Sequence, residues 1–185
     1  MKAKDLYTSN GDLGFTCNSV GSVMPKSCAN VVAVGKIDTA CAALGVALSE
    51  LNNQEIAEDW REASKPWRWI SGFISSTPFQ ESYTDKFGEL SSVDTTFLDK
   101  LFNALSVTLD AQGFNQKDWI DYGWNGPIVA KFDFACCLFR EAECLVVELV
   151  RGTNTPGILK FINKYNKTLY LQARSLSFKP CKAAS

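Results

Sequence analysis

Residues 132–152 read FDFACCLFREAECLVVELVRG, the longest apolar run in the chain, with Asp133, Arg140, Glu141, Glu143, Glu148 and Arg151 set into it. At about 100° per residue, Asp133, Arg140 and Arg151 fall on nearly one side, with Glu143 close by. Glu141 and Glu148 sit a quarter-turn away, and Ala135, Leu138, Ala142, Leu145, Val146 and Leu149 occupy the opposite side. The run therefore predicts a long helix over residues 129–151 whose charges form a stripe. A solvated polar face explains such a stripe, but Cys136, Cys137, Cys144 and Val147 lie among the ions. A face packed against another subunit tolerates that mixture, provided each charge finds a partner.

Working towards the N-terminus, AQGFNQKDWIDYGWNGP (residues 111–127) carries three glycines and a proline and reads as a long loop. Before it, TTFLDKLFNALSVTLD (residues 95–110) has an apolar stripe of Phe97, Leu98, Leu101, Phe102, Leu105 and Leu109 at helical spacing. WRWISGFISSTPF (residues 67–79) alternates aromatics and reads as a short extended segment. A helix capped by Asn52 or Asn53, with Ile56, Ala57 and Trp60 on one face, is stopped by Pro66. Val34, Ile37, Ala40, Cys41, Leu44, Val46 and Leu48 fit the first helix. The expected fold class is all-α: an antiparallel four-helix bundle with a long loop between helices 3 and 4 and a small extended segment. It is flanked by an N-terminal arm (residues 1–30) and a basic C-terminal tail (residues 166–185), leaving residues 31–165 for the helical domain.

Composition narrows the function. With 185 residues, 46% of them hydrophobic, the chain can bury one real core. It has no histidine, which removes Ser-His and Cys-His nucleophile pairs, His-ligated zinc and an imidazole base. No glycine-rich phosphate loop or metal-ligand spacing is present, and the acid pairs Asp118/Asp121 and Glu141/Glu143 define no pocket. The expectation is a protein that is not an enzyme and needs no cofactor. Lysine and arginine number 19 against 20 acids, so no gross nucleic-acid footprint exists. A near-neutral protein can still bind RNA through a small cationic edge when many copies act together. No run of about 20 apolar residues is seen, so no membrane partner is expected. The start MKAKDLYTSN lacks a signal-peptide core. The seven cysteines are expected to be free thiols.

Several stretches together resemble the tobacco mosaic virus-like coat protein family of rod-shaped plant RNA viruses. VELVRGT (Val147–Thr153) resembles the end of that family's longest helix, and FDFA with Phe139 and Arg140 its start. CAALG (Cys41–Gly45), REASKP (Arg61–Pro66) and LDKLFNALSVTLD (Leu98–Asp110) agree in order, and Phe161 matches a tail phenylalanine.

This resemblance implies a structural capsid protein that self-assembles into a helical rod around single-stranded genomic RNA. Its partners would be further copies of itself and RNA, and its location the virion and the host cytoplasm. Lys117, Lys131, Asp133, Phe134, Cys137, Leu138 and Glu141 would form the RNA surface. Asp110 and Arg140 would match a structural ion pair. Glu62 and Asp99 would be facing inter-subunit carboxylates that take a proton, or calcium, on assembly. Two other readings stand beside it: a small cytosolic helical binding or immunity-type protein without nucleic acid, and a carboxylate-based hydrolase.

Overall fold

The long apolar run lies in helix α5 (Pro127–Val150), which packs chiefly against one helix on each flank. The computed structural model describes residues 10–18, 21–76, 93, 95–115, 125–151, 153 and 155–177. Helix α5 starts where Gly126 turns the chain at φ 99°, a conformation that costs glycine least, and Pro127 supplies a φ already suited to a first helical turn. Phe132, Ala135, Phe139, Ala142 and Val146 are fully buried; of the inner stripe that the periodicity predicts, Ala135, Leu138, Ala142 and Val146 are buried and Leu145 and Leu149 half-buried.

Helix α1 (Ala29–Ser49) lies antiparallel to α5, since Lys36 pairs with Glu141 and Glu50 pairs with Lys131. On the other flank of α5 runs α6 (Pro156–Ser177), also antiparallel, through Asp133–Arg174 and Glu143–Asn166. Helix α4 (Thr96–Ala111) lies along α6: Asp99 binds Lys164 at 2.7 Å, and the same ammonium stands 4.5 Å from the centre of the Phe102 ring. Gly113, at φ 77°, closes α4 in the left-handed conformation favoured just past a helix end, its N–H donating to Asp110 O.

Two short helices cover the remaining side. Helix α2 (Gln54–Ala63) is capped by Asn53, whose side chain accepts from Ile56 N at 3.1 Å. Helix α3 (Lys65–Ser75) follows after the single residue Ser64. The Ser64 hydroxyl donates to Trp60 O at 2.6 Å, so the contact of 2.8 Å with Tyr165 must be donated by the phenol. Tyr165 has no exposure and meets Trp60 edge-on at 5.4 Å and Phe139 at 4.9 Å, while Trp67 stacks on Phe139 at 5.1 Å. These rings bind α2, α3, α5 and α6 into one core, and burying each contributes on the order of 2 kcal/mol.

Before α1, a 3-10 turn (Asn10–Leu13) leads into an antiparallel pair, β1 (Phe15–Cys17) and β2 (Val23–Pro25), with Thr16 opposite Met24. Lys26 folds back onto Gly11 O at 2.9 Å.

The mostly helical expectation holds, but the plan is not the expected four-helix bundle. The aromatic segment expected to be extended is α3, because Trp67, Ile70, Phe73 and Ile74 are buried at three- and four-residue spacing. Pro66 begins that helix and does not simply end the one before. Residue 165 lies inside the continuous helix α6, and Pro156 sits at its start. Helix α1, with 21 residues and mean hydropathy 1.8, is long and apolar enough by length and composition to cross a membrane. Here Ala33, Ile37, Ala40, Leu44 and Ala47 are buried within the bundle core.

Candidate active site

Seen from outside, α5 presents Phe134, Cys137, Arg140, Glu141, Cys144, Glu148 and Arg151, all exposed and spaced by one, three or four residues. Its two flanks are tied down. Glu141 accepts from Lys36 of α1 at 2.9 Å, and Glu143 accepts from Asn166 of α6 at 2.6 Å. Between these ties stands Arg140, which forms no salt bridge with any described residue. A guanidinium is permanently charged and offers five donors in a planar fork, the geometry that suits carboxylate and phosphate oxygens. Glu143 lies one turn further along, so a cation and a fixed carboxylate share one strip of helix. Phe134, 60% exposed, adds an aromatic face six residues before Arg140.

The thiols divide sharply. Cys137 and Cys144 face outward, whereas burial, reinforced by Asp133, pushes the Cys136 thiol up to about 12. Burial, followed by the nearby Asp38 charge, pushes Cys41 up to about 11. Cys41 also lines a groove of about 400 Å³ between α1 and α2, with Leu44, Leu48, Ala57, Trp60 and Arg61. A second groove, of about 420 Å³, lies where α5 gives way to α6, lined by Val147, Arg151, Thr153, Pro156 and Leu159. No group of three or more Cys, Asp or Glu suited to a metal exists among the described residues.

The residues singled out from sequence do not converge. Lys117 lies outside the described residues. Lys131 is taken up by Glu50, and Glu141 by Lys36. Asp133 is buried against Arg174 and Leu138 belongs to the core, so neither offers a surface to bases. Phe134 and Cys137 do face outward.

Glu62 binds Lys65 at 2.5 Å within the α2–α3 elbow, while Asp99 binds Lys164 on another side of the bundle. The Lys164 hydrogen bond is the main reason that the Asp99 carboxyl is held below its ordinary range, against some burial; Thr95 assists. Within the chain each acid thus has a lysine of its own. Asp110 and Arg140 are both exposed and form no pair; the buried pair is Asp133–Arg174. Arg140 and Glu148 point away from the chain's own core, as the stripe predicts. Sequence reasoning passed over Lys36, Asn166 and Arg174. Their only signal is polarity at positions inside apolar-periodic helices.

A family model described as cobalamin adenosyltransferase matches residues 6–176. The fold resembles two single-site variants of a PduO-type ATP:corrinoid adenosyltransferase from Lactobacillus reuteri, each complexed with cobalamin and ATP. Both give TM-score 0.78 at 21% identity over 94% of this chain, covering 91% and 93% of those chains. A third variant from the same organism, a PduO-type ATP:co(I)rrinoid adenosyltransferase complexed with ATP, gives TM-score 0.76 at 21% identity, with 94% of each chain covered. No curated protein matches the sequence.

These findings overturn the coat-protein resemblance and what it implied: the capsid role, the RNA partner, the virion location and the absence of catalysis. The alternative of a non-enzymic helical binding protein receives no support either. The resemblance failed because short apolar-helix motifs such as VELVRG and LDKLF are what any amphipathic bundle helix produces.

Proposed function

The chain belongs to the cobalamin adenosyltransferase family, and from that membership we propose that it transfers the adenosyl group of ATP to a reduced corrinoid. The observation that carries this reading is a family match spanning residues 6–176 of 185. The unpaired Arg140 on the outer strip of α5 supports it, because a nucleotide triphosphate needs a cation that is not already spent.

Adenosyl transfer forms a bond from cobalt to the ribose C5′ and breaks the C5′–O5′ bond. Cobalt(I) supplies the electron pair for the new bond. Triphosphate leaves with the pair from the old one. Negative charge therefore grows on the O5′ phosphate oxygen in the transition state, where a preplaced guanidinium stabilises most. Arg140 takes that role. Glu143, anchored by Asn166, is placed to accept from a ribose hydroxyl and so to orient C5′. Phe134 stands about 9 Å along the helix axis from Arg140, a span suited to contacting the apolar body of a second substrate. Corrinoid is a substrate in this scheme.

The test is anaerobic incubation of the protein with ATP and a chemically reduced corrinoid. Cobalt–carbon bond formation is followed by visible absorbance and triphosphate release by phosphorus NMR. Wild-type protein is expected to yield both products in equal amounts, and Arg140→Ala to raise KM for ATP about tenfold or more. Absence of product together with absence of ATP binding in calorimetry would refute the assignment.

A further inference from the structure

Asn166 sits on α6 with its amide turned towards α5. Its Nδ2 donates to Glu143 Oε2 at 2.6 Å, a short, charge-assisted bond. Its Oδ1 is buried and has no hydrogen-bond partner among the described residues. The amide cannot be turned over to cure this, because that would set its oxygen against the carboxylate and orphan the nitrogen instead. A residue selected for packing would not leave an amide oxygen desolvated and unsatisfied; an apolar side chain would serve better. At the neighbouring inward positions of α6, Ile162 and Leu169 are apolar, and the buried hydroxyls of Tyr165 and Thr168 are both hydrogen-bonded, to Ser64 and to Lys164 O.

The geometry points to Asn166 as a positioning residue for adenosyl transfer. Its amide holds the Glu143 carboxylate in one orientation beside Arg140, so that the free Oε1 meets the nucleotide. This inference rests on the adenosyltransferase reading above. The charged groups on the elements meeting here are Arg140 on α5, the Lys36–Glu141 pair across to α1, and on α6 Lys167 and the Lys164 bound to Asp99.

Two substitutions test it. Asn166→Ala removes the donor; KM for ATP should rise about tenfold with a smaller change in kcat, equally at every pH. Asn166→Asp sets a second carboxylate at the same distance, and the two must share a proton. While that proton is present, the new carboxyl donates to Glu143 as the amide did. Once it is lost, the two repel and Glu143 is driven from its place. KM for ATP in the aspartate variant should therefore approach wild type in mild acid and climb as pH rises. A merely structural asparagine would show no such low-pH rescue. Thermal melts of all three proteins identify any loss of fold.

If folded Asn166→Ala keeps wild-type KM, or if folded Asn166→Asp shows no pH-dependent recovery while wild type is active, the positioning role is overturned and the adenosyltransferase reading stands. If wild type neither binds ATP nor forms product, the reading itself fails.

Discussion

Replacing Arg174 by methionine should cost the fold about 3–5 kcal/mol, the usual loss when one member of a buried ion pair is removed. The magnitude follows from burial. The side chains of Arg174 and Asp133 are only 4% and 3% exposed, so the surviving Asp133 carboxylate would remain in the core with nothing to bind. Among the described residues Asp133 Oδ2 and Arg174 Nε already lack partners, which makes the pair less favourable than its contact suggests. Hence the double variant Asp133→Leu/Arg174→Met, with both charges gone, should regain most of the loss.

Urea unfolding followed by circular dichroism measures all three proteins. At roughly 2–4 °C per kcal/mol for a chain of this size, the single variant should melt about 6–20 °C below wild type. A single-variant loss under about 1 kcal/mol, or a double variant worse than the single, would show that the pair is hydrated and the burial argument wrong.

Asp99 is held below the ordinary carboxylate range by Lys164, so its stabilising contribution exists above that range and fades as pH falls through the lowered folded value. Urea midpoints measured from pH 7 to pH 2 should fall less for Asp99→Asn than for wild type; the group is partly exposed, so solvent screening keeps the difference small. Alkylation at pH 8 should label Cys137 and Cys144 quickly and leave Cys41 and Cys136 slow until urea is added, as mass spectrometry of digests would show. Ser64→Ala strands the buried Tyr165 hydroxyl and should cost about 1–3 kcal/mol in the same urea assay. Arg140→Ala should leave urea stability within about 0.5 kcal/mol of wild type, since this exposed side chain has no salt bridge among the described residues to lose.

The helices legible in sequence are those whose apolar residues repeat over several turns, α1, α4 and α5, together with the shorter α2, which its Asn53 cap marks. Helix α6 carries an equally regular set, Ile158, Phe161, Ile162, Tyr165 and Leu169. In sequence its part from residue 166 onwards reads as a basic tail, because Lys160, Lys164 and Lys167 lie between these apolar residues and Pro156 precedes them. In the fold those lysines flank a buried stripe, and the proline occupies a first-turn position where its missing N–H costs nothing. Helix α3 was misread because Trp67 and Trp69 alternate like strand residues; Trp67 is buried and Trp69 largely exposed, but the pattern resumes at Ile70, not Ser71.

The charged stripe itself is visible in sequence, but its members part ways in the fold: Arg140, Glu141 and Glu148 are exposed, whereas Asp133 is buried against Arg174. What each charge meets is not visible there. Charge on a helix states that something polar is near without saying whether that is a lysine of the same chain, as for Glu141, or a ligand, as proposed for Arg140. Asn166 was illegible for the same reason: its partner is 23 positions away and only the antiparallel packing of α5 and α6 brings them together.

The elbow at Ser64 has a consequence for how this chain can vary in length. One residue joins α2 to α3, and the two indoles on either side of it, Trp60 and Trp67, converge on Tyr165 with centroids 5.4 Å away in each case. An inserted residue would rotate one helix by about 100° against the other, swinging one indole out of the ring cluster. Lengthening is therefore barred at this joint by a phase requirement, whatever the added residue's own preference.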